Sequence, residues 1–124
     1  MKTNRKQVVE TFIKIIEHIS DKDYQKRVWI KGKGPEVDDF DETVNFFTEI
    51  GDPILKNHQD YKITENQYKM LKKLRNTFEA FWEENDWPAN FIDTPEWDEI
   101  TKMAKEVLQA FHYESDKSEG AAQP

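Results

Sequence analysis

Residues 29–42, WIKGKGPEVDDFDE, gather two glycines, a proline, two lysines and five carboxylates. Two chemistries suit such a mixture. A Gly-Lys-Gly turn could wrap a phosphate with backbone amides, and Asp38, Asp39, Asp41 and Glu42 could offer oxygens to calcium or magnesium. Neither pattern is complete. A phosphate loop needs Gly-x-x-x-x-Gly-Lys and then Ser or Thr, whereas Lys31-Gly32-Lys33-Gly34-Pro35 lacks the spacing and the hydroxyl, and Pro35 removes an amide donor. A calcium loop needs alternate carboxylates, a central glycine and a distant glutamate, in an order absent here. The stretch therefore reads as a turn made by glycines and Pro35, followed by a helix start at Asp39 and Glu42.

Other reactive side chains are sparse. No cysteine occurs, so disulfides, thiolate metal sites and a cysteine nucleophile are excluded. His18, His58 and His112 form no HxxxH or HExxH spacing, and two of the three serines, Ser115 and Ser118, lie near the C-terminal end. We expect no catalytic residue, no metal and no cofactor. Carboxylates Glu83, Glu84, Asp86, Asp93 and Glu96 flank a tryptophan-rich break, where they suit an acidic rim as well as acid–base work.

Charge distribution says more than its total of -7. Residues 1–33 carry a net +5 and residues 53–78 a net +4, while 34–52 carry -7 and 79–99 carry -8 with no basic residue in either acidic block. Such blocks repel nucleic acid and speed association with a basic protein.

The elements that must position these residues are helical. Val8, Val9, Phe12, Ile15, Ile16 and Ile19 recur every three or four residues, predicting a helix over 4–20. Its interrupting charges distinguish it from a signal peptide, and no segment approaches the roughly 20 apolar residues of a membrane span. Val28-Trp29-Ile30 predicts a short strand or extended arm near 26–31. Asp39 and Glu42 predict a capping box and a helix ending at Gly51, with Asp52-Pro53 starting another short helix through Leu55. Thr64 and Gln67 open the longest stripe, over 65–85. Asn85-Asp86-Trp87-Pro88 breaks it, and Thr94-Pro95 begins the last helix. Trp82 and Trp97 fall on apolar faces, whereas Trp87 and Phe91 fall in the loop and read as apolar anchors for a partner. The expectation is one mainly α domain over 1–113, a bundle of four to five helices, with a disordered tail over 114–124.

Arg27-Val28-Trp29-Ile30, the run Gly34 to Glu42, Phe46-Phe47 and Ile92-Asp93-Thr94-Pro95-Glu96-Trp97 together resemble a pattern in small acidic bacterial proteins of unknown function. Size and acidity are also similar to the immunity proteins of bacterial toxin systems. No signature of the helical colicin-type immunity proteins matches position by position, so none of their binding residues is carried over. The resemblance implies a cytoplasmic protein that binds a basic toxin, such as a nuclease, without touching nucleic acid or membrane. The two acidic blocks and the loop aromatics, read by themselves, give the binding surface expected: Glu36, Asp38, Asp39, Asp41, Glu42, Glu83, Glu84, Asp86 and Asp93, with Trp87 and Phe91 as anchors. The alternatives are a nucleic-acid mimic that blocks a DNA-binding protein, and a small carboxylate enzyme using His58 or His112.

Overall fold

The computed structural model describes residues 4–34 and 38–120, with side chains as far as Phe111. Glu36 lies outside the described residues, as do the His112 side chain and the side chains of the expected tail. Helix α1 is Arg5–Ser20, α2 Lys22–Tyr24, α3 Phe40–Lys56, α4 Glu65–Trp82, α5 Pro88–Phe91 and α6 Pro95–Gly120, with a π-helix, π1, at Gln25–Ile30. The protein is mainly helical, and among the described residues there is no strand.

Short polar side chains set the helix starts. Asn4 accepts from the amides of Lys6 and Gln7, at 3.0 and 3.3 Å, and so satisfies two of the orphan donors of α1. Asp39 accepts from the Glu42 amide at 2.8 Å. The reciprocal bond from Glu42 is not formed among the described residues, so this cap is half of the expected box. The full box occurs at α4, where Thr64 and Gln67 exchange bonds of 2.8 and 3.0 Å. Gln67 also reaches the Ala110 carbonyl at 3.4 Å, tying the start of α4 to α6.

α6 is the central element. It packs against both α1 and α4, and α1 packs in turn against α3. Trp97 on α6 is fully buried, with Phe81, Phe91 and Phe40 ring centroids 5.2, 4.9 and 6.0 Å away. Such pairs add about 0.5–1.5 kcal/mol each beyond their burial.

Two expected elements differ. The strand or arm near 26–31 is the π-helix, in which the Lys31 amide donates to Lys26 at 3.1 Å. β-propensity loses because among the described residues no strand offers a ladder. A helical turn satisfies the backbone within the segment, and it buries Gln25 and Val28 together. The helix expected to stop at Gly51 instead continues to Lys56, with Pro53 inside it. Gly51 serves close packing, not termination. A Cβ there would sit 2.7 Å from Cζ of Phe12, a ring only 1% exposed.

Gly51→Ala puts two effects in opposition. Helix propensity alone predicts a gain of about 1 kcal/mol, and overpacking predicts a loss of about 1–3 kcal/mol. Because the Phe12 ring is enclosed, the expected net result in chemical denaturation is a loss of about 1 kcal/mol. A net gain would mean that the seam between α1 and α3 has slack.

Candidate functional site

The end of the bundle where π1, the start of α3 and α5 meet carries the candidate site. Phe40, the first residue of α3, lies with its ring 4.9 Å from Phe91 of α5. The side chain of Lys26 on π1 reaches Asp93 at 3.9 Å. The start of α3, π1 and residues 91–93 are thereby brought to the same end.

Asp38 turns inward. Its side chain is 14% exposed and accepts from Tyr24 Oη at 2.8 Å and Trp29 Nε1 at 3.0 Å. Thr43 Oγ1 lies 3.2 Å from each carboxylate oxygen, and His18 Nδ1 lies 3.7 Å from Oδ2, beyond hydrogen-bond length. The His18 ring stacks on Tyr24 with centroids 4.0 Å apart. These groups come from α2, π1 and α3, so the carboxylate latches three elements together, with the His18 ring of α1 stacked alongside. Its acceptor positions face the protein, which corrects its placement on a partner-binding rim. Asp39 is committed as the α3 cap, although it remains at the surface.

Phe91 is likewise corrected. It is 2% exposed and packs edge-on or tilted against Phe40, Phe81 and Trp97, as core and not as an anchor. Trp87 differs: as the residue that precedes α5 it is 64% exposed. Around it in the chain Glu83, Glu84, Asp86 and Asp93 are exposed, and so are Asp41 and Glu42 at the start of α3. Among the described residues no cation lies within 4 Å of Asp41, Glu42, Glu83, Glu84 or Asp86. Asp93 alone of this set is paired, with Lys26.

Two further clusters are structural. Arg75 on α4 donates to both oxygens of Asp52 on α3, at 2.9 and 3.3 Å, and meets Glu79 at 2.9 Å. Asp52 above all, and then Glu79 against the opposing effect of burial, pushes the guanidinium further above its usual range. His58 stacks on Tyr68, with centroids 3.9 Å apart, and contacts Glu65 at 3.0 Å, which fastens the turn before α4 to its first residues.

An open groove of about 730 Å³ runs beside α1, α2 and α6, lined by Glu17, Ser20, Asp21, Lys22, Asp98 and Lys105 among others. Lys22 pairs with Asp98 across it. The hydroxyls of Ser20 and of Thr101, which also lines it, donate to carbonyls of their own helices at 2.8 Å. Neither hydroxyl is paired with a base, and His58 does not line the groove. Among the described residues no group of three His, Cys, Asp or Glu side chains is arranged to hold a metal ion, and no helix is long and apolar enough to cross a membrane.

Comparison with protein-family models, with curated proteins and with solved structures finds no match.

Sequence reasoning placed the exposed Trp87 and its acidic neighbours but missed the group around Asp38. Tyr24, Trp29 and Thr43 carry no mutual spacing that marks them as donors to one carboxylate. Asp38→Ala takes the carboxylate away from Tyr24 Oη and Trp29 Nε1, while Thr43 Oγ1 keeps the Asp39 carbonyl at 3.0 Å. We expect a loss of about 2–4 kcal/mol in unfolding free energy. A loss below about 0.5 kcal/mol would show that water replaces the latch.

Proposed function

We propose that this chain is a protein-binding module of the immunity type, acting in the cytoplasm, which neutralises a basic partner such as a nuclease toxin by covering its positive surface. The observation that carries this reading is Trp87, 64% exposed in a segment, 79–99, that has eight acidic and no basic residues. A large apolar side chain left in water in a stretch of exposed carboxylates suits an interface core inside a charged rim. The amphipathic indole can fill a pocket on the partner, and the carboxylates steer a basic surface towards it and reject acidic ones.

Division of labour follows from burial. Asp38 and Phe91 support the face from beneath. Trp87 supplies contact area, and Glu83, Glu84, Asp86, Asp41 and Glu42 supply field. Nothing in this mechanism needs a reacting group, because inhibition is by occlusion of the partner's site.

The test titrates purified basic nuclease domains against the immobilised chain by surface plasmon resonance. Trp87→Ala should weaken binding about 30-fold or more, chiefly by faster dissociation. Glu83→Gln, Glu84→Gln and Asp86→Asn together should slow association about tenfold at low salt, with little change at high salt. Both variants should keep wild-type stability to within about 0.5 kcal/mol, since the altered side chains are exposed. Binding indifferent to all four substitutions would reject the reading.

A further inference from the structure

We propose that residues 25–33 are a two-register switch: the π-helical register of the structure, held by the bond from Trp29 to Asp38, exchanges with an α-helical register in which that bond is given up. The exchange needs no partner. What points to it is the choice of carbonyls made by the backbone amides of this segment.

The ladder here is wider than that of an α-helix. The Lys31 amide donates to the Lys26 carbonyl at 3.1 Å, and the Lys33 amide donates to the Arg27 carbonyl at 2.8 Å. In an α-helix, where each amide reaches back four residues, the Lys31 amide takes the Arg27 carbonyl. Arg27 is thus the point of exchange. Its carbonyl serves Lys33 in one register and Lys31 in the other. The Arg27 guanidinium also donates to the Lys33 carbonyl at 3.2 Å, so one residue grips Lys33 twice. Gly32 and Gly34, with φ of 63° and 105°, let the chain curl back to that grip. The Gly-Lys-Gly turn therefore closes the π-helix.

π-helices are rare and frequently mark functional positions. Two side chains hold this one. Gln25 fixes its first residue through His18, Ile19 and Trp97, and Trp29 donates through Nε1 to Asp38 at 3.0 Å. The Gln25 bonds lie where both registers begin, so they favour neither. The Trp29 bond lies where the registers have diverged. An α-helix turns about 100° per residue and the wider helix less, so by Ile30 the two differ by on the order of a quarter turn. The switch therefore moves Ile30, 38% exposed, on the element that packs against α5. Lys26, one residue past the fixed point, keeps its pair with Asp93. A molecule that binds Ile30 in one orientation draws the exchange to that register.

Nuclear magnetic resonance of the full chain reads both states. Scalar couplings across hydrogen bonds identify the carbonyl that each amide uses, and saturation transfer at Trp29, Ile30 and Lys31 measures the minor register. Wild type should couple Lys31 to Lys26, with the α register at about 1%. Trp29→Phe keeps a ring beside Phe40 and Trp97 and removes the donor, whereas Asp38→Ala removes the acceptor. Each should raise the ratio of α to π register about tenfold or more, the worth of a hydrogen bond to a charged group. Where the α register becomes the major one, the Lys31 coupling should move to Arg27. Thr43→Val removes a different contact of Asp38 and should leave the ratio as in wild type. A ratio unchanged in both Trp29→Phe and Asp38→Ala would overturn the proposal. So would the loss of every coupling in the segment, which is fraying and not exchange. A shift in Thr43→Val as large as in the other two would overturn it as well, because the register would then follow general loosening.

Discussion

The fold turns on one buried amide. Gln25, fully enclosed at the first position of π1, donates through Nε2 to the carbonyls of His18 and Ile19, both at 2.8 Å. These carbonyls are among the last four of α1, which no residue of that helix can satisfy. The same side chain accepts from Trp97 Nε1 at 2.8 Å through Oε1. A single residue therefore closes α1, anchors π1 and fixes the orientation of the indole around which the aromatic core is built. Tryptophan at the centre of a core is tolerated only where its N–H finds an acceptor, and a buried amide is tolerated only where both its ends are used. Each of the two solves the other's problem.

From that point the surface follows. Trp97 holds Phe91 and Phe40, and these hold α5 against the start of α3. Asp38, engaged by Tyr24, Trp29 and Thr43, keeps the same junction closed from the other side. Exposed ion pairs such as Lys26 with Asp93 contribute little by comparison, because solvent screens them and two long side chains lose freedom to form them. The acidic end is thus placed by buried contacts, while its own carboxylates remain free to act at a distance.

The helices were legible where a local signal existed. Asp39 and Thr64 each accept from an amide three residues on, and the apolar stripes of α1, α4 and α6 pack as their spacing predicts. Gly51 misled because a glycine that permits close approach looks identical in sequence to one that ends a helix. Val28-Trp29-Ile30 misled because β-propensity describes a fit to neighbouring strands, and there are none among the described residues. Trp87 could be read as exposed from its place before a proline in an acidic loop. Phe91, four residues on, could not be told from it, since the short α5 that turns its ring inward carries no stripe of its own. The roles of Gln25 and Asp38 were illegible for a different reason: their partners lie on other elements, and Trp97 is 72 residues from Gln25.

The most direct test of this account is chemical denaturation of Gln25→Leu, which keeps the volume and removes both hydrogen-bonding ends. If Gln25 is the residue on which α1, π1 and the aromatic core jointly depend, the variant loses about 2–4 kcal/mol of unfolding free energy, the cost of stripping the indole N–H and the Ile19 carbonyl of this partner and leaving the His18 carbonyl only the 3.4 Å bond from the Asp21 amide. If instead the variant unfolds within about 0.5 kcal/mol of wild type, apolar packing alone holds this end together and the central role assigned to Gln25 is wrong.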